Sequence, residues 1–311
     1  MKKNFFISKA FLIVTLVVTS FMFTSCNDDD EDNNQEQTIA QIAQGNANLT
    51  TLVAALQRAD LVNVLNGEGT FTVFAPTNAA FEDLLGPNVS VDDVPVATLR
   101  QILLNQVIAT EYTATTLPAG YIKTQAFGAA STTNTLSMYV EKNGAIVTLN
   151  GESQVVTPNI EASNGIIHVV DAVIELPTVV DHAAANANFS DLVGYLSTAN
   201  LVTTLDGTTS SPFTVFAPSN AAFDTFETQN PGALASLTVP QLTDILLYHV
   251  ITGANVLSTG IPASATTAEG GTLLFSGTTI TDVNGRQVGI VATDVQASNG
   301  VIHVLNNVLL P

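Results

Sequence analysis

One eleven-residue string is written twice in this chain of 311 residues, as FTVFAPTNAAF at positions 71–81 and FTVFAPSNAAF at 213–223. The two copies stand 213 − 71 = 142 positions apart. A second pair closes each copy: ASNGIIHVVDAVIELP at 162–177 and ASNGVIHVLNNVLLP at 297–311, 297 − 162 = 135 positions apart. Two motifs kept in order at nearly constant spacing mean a tandem duplication of one folding unit. The repeats open near Thr38 and Thr178, which divides the chain into units of 38–176 and 177–311. Each is long enough to bury a core of its own.

Each unit is expected to mix helices with strands. Leu49, Leu52, Val53 and Leu56 fall on one helical face, as do Phe189, Leu192, Val193 and Leu196. Asn48 with Thr50, and Asn188 with Ser190, are placed to cap that helix. FTVF then alternates as a strand and Ala-Pro stops it. Thr77 and Ser219 follow as helix caps, with Asn78 and Asn220 in the first turn and Phe81 and Phe223 turned to the core. A further helix is read over 96–108 and 240–251. The later half of each unit reads as strands: Leu136, Met138 and Val140 alternate before an Asn143-Gly144 hairpin turn, and 165–174 and 300–309 make the last strand. Helices early and strands late give an α+β module.

The amino end carries a different message. A basic stretch, 1–9, precedes an apolar run too short for an ordinary spanning helix, and the run ends Phe23-Thr24-Ser25-Cys26. This resembles a bacterial lipoprotein signal, with lipid on Cys26; the plainer alternative is an uncleaved signal anchor. Cys26 is the single cysteine of the chain, so no intramolecular disulfide forms. Residues 27–37 hold six acids and no base, a composition expected to stay solvated and extended, with a reach of about 36–40 Å at ~3.3–3.6 Å per residue. Its position resembles the surface-export signal of Bacteroidetes-type lipoproteins. The expected location is therefore the bacterial outer membrane, lipid-anchored and facing outward.

Net charge is −19 from 27 acids and eight bases, three of which lie in the first nine positions. Such a chain cannot neutralise a phosphate backbone, which argues against nucleic-acid binding. It also repels anionic membrane, so contact with a bilayer is expected through the anchor alone.

FTVFAPTNAAF, NGIIHVVDAVI and the intervening LLYHVI together resemble the fasciclin-domain family, over essentially all of 38–311. The resemblance implies two tandem fasciclin-like domains, each a β-strand wedge flanked by helices, of the kind found on secreted or surface-anchored adhesion proteins and not among enzymes. The Tyr-His pair associated with adhesion in animal members maps to Tyr248 and His249, whereas the first copy has Asn105 and Gln106 there.

Candidate residues divide accordingly. Tyr248 is expected to point away from the core and to contact a partner, while His249 follows the apolar stripe inward. His249, Asn78 and Asn220 remain candidate contacts beside their structural reading. Thr77, Ser219, His168 and His303 read as structural, the two histidines because they share a strand face with apolar neighbours. No nucleophile elbow, phosphate loop or metal spacing is written in the chain, so no catalytic residue, metal or cofactor is assigned. The function expected is non-catalytic display of two domains to an extracellular protein or polysaccharide. The alternative is an accessory subunit of an outer-membrane envelope or uptake assembly. Oligomeric state is open.

Overall fold

In the computed structural model, residues 37–67 and 69–311 are described. The signal segment, Cys26 and all but the last residue of the acidic run lie outside them.

The first repeat contains α1 (Ile39–Gly45), α2 (Thr50–Arg58), α3 (Val62–Asn66), β1 (Phe71–Pro76), α4 (Asn78–Leu85) and α5 (Val96–Asn105). Six strands follow: β2 (Val107–Ile108), β3 (Gly120–Gly128), β4 (Ser131–Asn143), β5 (Ile146–Leu149), β6 (Ser153–Ala162) and β7 (Gly165–Val170). The second repeat runs α6 (Val179–Ala185), α7 (Ser190–Thr198), α8 (Val202–Asp206), β8 (Phe213–Pro218), α9 (Asn220–Gln229) and α10 (Val239–Tyr248). It ends with β9 (Val250–Thr252), β10 (Ser264–Thr266), β11 (Thr272–Ser276), β12 (Thr279–Thr281), β13 (Gln287–Gln296) and β14 (Gly300–Leu305).

Both repeats build one seven-stranded sheet with the same connectivity. The order is β2-β1-β7-β6-β5-β4-β3 in the first and β9-β8-β14-β13-β12-β11-β10 in the second. The duplicated motifs are the second and third strands from one edge of each sheet, paired in parallel with Phe71 opposite Gly165 and Phe213 opposite Gly300. Each glycine serves that pairing. A Cβ on Gly165 would stand 2.0 Å from the Phe71 carbonyl oxygen, and one on Gly300 2.3 Å from that of Phe213.

Alternation along β1 supplies two cores. Val73 and Ala75 pack under the helices with Leu52, Leu56, Phe81 and Leu103. Phe74, on the other face, fills the wedge with Met138, Val140, Leu149 and Val170. Phe216 does the same in the second repeat, against Tyr248, Leu273 and Leu305. On the wedge side Thr72 accepts from Tyr112 N–H at 2.8 Å and donates to Thr110 O at 2.7 Å. Thr214 repeats this with Val256 N–H and Ala254 O.

Three sequence expectations need correction. α5 and α10 stop at Asn105 and Tyr248, because the β-branched residues after them join the sheet: Ile108 pairs with Thr72 and Ile251 with Thr214. The last strands end at Val170 and Leu305, and the apolar run beyond leaves the sheet so that Ile174 N–H can reach Gln106 Oε1 at 3.3 Å. Asn48 and Asn188 do not cap α2 and α7. Asn46 and Asn186 hold the preceding 3-10 turns, accepting from Asn48 and Asn188 N–H, and the helix amides are capped from another element.

Candidate functional site

That capping element is the start of α4 and α9. Asn78 Oδ1 accepts from Thr51 N–H at 2.9 Å, and its Nδ2 donates to Ala47 O at 2.9 Å. Asn220 makes the same two bonds, with Asp191 N–H at 3.1 Å and Ala187 O at 3.0 Å. Thr77 and Ser219 cap their own helices through Ala80 and Ala222 N–H. The side chain of Asn78 or Asn220 thus supplies an oxygen to an otherwise orphaned first-turn donor of a neighbouring helix.

Tyr248 is fully buried, which corrects the outward orientation expected from helical spacing. Its ring packs on Phe216 and Leu273; its hydroxyl donates to Thr272 O at 3.0 Å and accepts from Val283 N–H at 3.1 Å. Spacing along α10 misleads because the wedge core closes over the far side of the helix end as well. His249, at 3% exposure, is buried too. Nδ1–H donates to Ile245 O at 2.7 Å while Nε2 accepts from Leu309 N–H at 3.0 Å. Gln106 reproduces these contacts, its Nε2 on Ile102 O at 2.9 Å and its Oε1 under Ile174 N–H. Asn105, in the seat of Tyr248, instead donates to Ile174 and Glu175 carbonyls.

His168 and His303 are fully buried in the wedges, stacked on Phe74 and Phe216 at 5.7 and 5.5 Å. Their Nε2–H groups donate to Tyr112 O and Val256 O. Burial lowers the proton affinity of all four histidines, with His182 and His249 pushed down to about 4. Each is the neutral imidazole its single-donor geometry requires.

The fold does bring Ser258, Asp294 and His303 together. Ser258 Oγ donates to Asp294 Oδ2 at 2.5 Å, and the carboxylate also accepts from Ser258 N–H at 2.8 Å. Nucleophilic catalysis needs the hydroxyl bonded to the imidazole and the imidazole to the carboxylate. Here the hydroxyl is bonded to the carboxylate, and the imidazole donates to a carbonyl. This trio anchors a loop.

The two repeats meet along β3 and β4. Tyr121 Oη donates to His182 O at 3.2 Å, Lys123 Nζ to Asp294 O at 3.0 Å, and Gln296 N–H to Ser137 Oγ at 3.0 Å. Ala130 N–H reaches Ser298 O at 2.9 Å, and a Cβ on Gly128 would lie 2.4 Å from Ser298 Cα. Sequence reasoning misses these contacts because they occur once and leave no trace in the repeat. Beside the junction lies a cleft of about 300 Å³ lined by Glu152, Glu175, Asp181 and Asp206. Burial, then Glu152 and Asp181, raise the Glu175 carboxyl above its ordinary range. Asp181 Oδ2 and Asp206 Oδ1 lie 2.8 and 2.7 Å from Thr178 Oγ1 and share its single proton. Among the described residues no group of three or more His, Cys, Asp and Glu side chains is placed to hold a metal ion.

All five basic side chains of the described residues are engaged. Arg58, Arg100, Lys142 and Arg286 donate to the carbonyls of Val94, Ala59, Leu117 and Val308, and Lys123 to Asp294 O. With 20 acids against these five, carboxylates outnumber cations fourfold among the described residues. An open groove of about 710 Å³ lies between α2, α4 and the loop after α4.

The Fasciclin domain pattern matches residues 47–177 and again 187–311. The chain belongs to the fasciclin-domain family. It is 28% identical over 271 residues to a fasciclin-like arabinogalactan protein of Arthroderma benhamiae, covering 82% of this chain and 62% of that protein. Protein sll1483 of Synechocystis is 39% identical over 142 residues, 45% of this chain and 74% of that one. Among solved structures, a FAS1 domain pair from the insect cell adhesion molecule Fasciclin I superposes with a TM-score of 0.54 at 19% identity, over 86% of this chain and 98% of that one. The fold is therefore two tandem fasciclin domains, each a nearly closed β-sheet wedge with flanking helices. Fasciclin-domain proteins are typically adhesion-related and extracellular, and generally not enzymes.

Proposed function

We propose that this fasciclin-domain chain is a non-catalytic binding protein of the bacterial cell surface. A lipid on Cys26 anchors it, residues 27–37 act as an acidic spacer, and two domains are presented to an extracellular protein or polysaccharide. The observation that carries the reading is the use made of the equivalent polar positions of the two copies. Asn78, Asn220, Gln106 and His249 each hold backbone groups of the fold, so both copies keep a scaffold and leave recognition to the surface between. Two such surfaces on one tether raise avidity when both engage.

The anchor and the binding role are tested separately. Cells grown with labelled palmitate should label the native chain and not Cys26→Ser, and protease added to intact cells should remove the domains. A glycan and matrix-protein array probed with the purified chain should show saturable binding without turnover. Hydrolysis of an array substrate, abolished by one substitution, overturns the non-catalytic reading. A stoichiometric outer-membrane partner recovered in place of any array ligand favours an accessory subunit.

A further inference from the structure

The face that the second repeat uses at the junction exists in the first repeat as well, and there it stands open. In the second repeat it is made by α6 and the end of β13, and the hairpin β3–β4 of the first repeat lies on it as an arm. Tyr121 packs on the second-repeat core with its ring edge-on to His182 at 5.4 Å, and Asn186 Nδ2 donates to its hydroxyl at 3.3 Å. Lys123, Ser137 and Ala130 engage Asp294 O, Gln296 N–H and Ser298 O in turn. Under the arm His182, Val295, Gln296 and Ala297 are buried.

In the first repeat Ile42 and Asn46 stand where His182 and Asn186 do, and residues 159–163 where 294–298 do. The backbone is kept closely. Asn159 and Asp294 both take the left-handed conformation, at φ +61° and +63°, in matching irregularities of β6 and β13. Ser163 N–H bonds Gln37 O as Ser298 N–H bonds Pro177 O. Yet Asn159, Glu161 and Ser163 are exposed, and Ile42, Ile160 and Ala162 are only half-buried. An apolar centre inside a polar rim is the anatomy of an interface. Among the described residues no second arm is present to cover it: β10 and β11 are 3 and 5 residues long, against 9 and 13 for β3 and β4.

We propose that this face of the first repeat docks the corresponding hairpin arm of a fasciclin domain in another chain. The proposal takes the protein branch of the binding reading above and rests on it. The occupant is specified by the arm already seated on the sister face. It brings a tyrosine hydroxyl toward Ile42 and Asn46, a lysine toward the Asn159 carbonyl, a serine hydroxyl to the Glu161 amide and a small-residue tip against Ser163. The tip must be small, because a Cβ on Gly128 would stand 2.4 Å from Ser298 Cα. Charge selects against the chain's own leading segment as occupant, since residues 27–36 hold six acids and Glu161 lies in the face. A second native copy does not supply the arm either, because its arm is seated on its own second repeat.

The test uses the full chain as target and residues 38–176 of the same chain, fluorescently labelled, as a probe whose arm is unseated. Every strand of that sheet and every residue of its two cores lies inside those limits, so the unit folds alone. Titrated to millimolar concentration at about 150 mM salt, the probe should bind one per full chain. By itself it should form head-to-tail oligomers that grow with concentration, since it presents arm and face together. Ser163→Trp and Ile42→Arg in the full chain should each weaken capture about tenfold or more. Ser163 is exposed, so its variant should keep the native melting temperature. Lys123→Glu and Gly128→Val in the probe should weaken capture by a similar factor. No capture, or capture indifferent to both changes in the face or to both changes in the arm, overturns the proposal. The native chain and Ser163→Trp also go onto the glycan and matrix-protein array. Array binding by a chain that captures no probe keeps the display reading and discards the docking face, whereas a chain that binds neither discards both.

Discussion

The two domains put different side chains into one socket. Between the end of the α5 or α10 helix and the segment after the last strand, Gln106 in one copy and His249 in the other join the same pair of backbone positions. A primary amide and a neutral imidazole can both donate at one end and accept at the other, and the second amide proton of Gln106 goes to Ile174 O at 2.8 Å. They differ in proton chemistry. The imidazole can be charged by acid, and its site has no room for a charged form; the amide cannot. One position was free to diverge in chemistry because its geometry was all the fold required. The neighbouring seat shows the opposite: Asn105 and Tyr248 are both buried, yet they bond different partners, and the surrounding loops differ with them.

The most severe break falls where the copies are alike. Gly165→Ala forces a Cβ against a backbone carbonyl and keeps φ at +144°, where Gly300 has the clash without the positive φ. Gly165→Ala should cost about 4 kcal/mol or more and Gly300→Ala somewhat less, read as loss of the corresponding domain's protected amides in hydrogen exchange. Equal tolerance of both substitutions would remove the close-approach explanation.

Acid comes next. His182 and His249 have folded proton affinities of about 4 against an unfolded 6.5, so the unfolded chain takes up protons first as pH falls. Stability is complete above about pH 6.5 and is lost progressively down to about 4, by about 3 kcal/mol per histidine. The second domain holds three of the four histidines and should melt first in acid. His249→Gln, which copies the first domain, should reduce the fall of the second domain's urea midpoint between pH 6.5 and 4.5 by about half, His182 supplying most of the rest. An unchanged slope would mean that the ring is not the acid-sensitive element.

Smaller effects separate pins from contacts. Asn78→Ala and Asn220→Ala each strip the same two bonds from a helix start and should lower stability by about 1–2 kcal/mol, in matching amounts. Urea midpoints that differ widely would show that one copy has found another cap. Tyr248→Phe leaves Val283 N–H and Thr272 O without their partner and should cost about 1 kcal/mol. If stability is unchanged while array binding falls, Tyr248 acts as a contact after all.

Repetition in the sequence announces the duplication, the strands of the two repeated motifs, the Thr77 and Ser219 caps and the inward histidines, because each depends on local periodicity or on short spacing that both copies preserve. It also announces the family. Periodicity carries α5 and α10 three residues too far, since whether Val107 and Val250 continue a helix or join a sheet is settled by the strand waiting beside them. It turns Tyr248 outward for the same reason. Helical spacing ranks faces against one core, and this fold has two. The contact between domains arises where segments far apart in the chain come to touch. Burial is a property of what arrives from elsewhere, and no local pattern in the string records it.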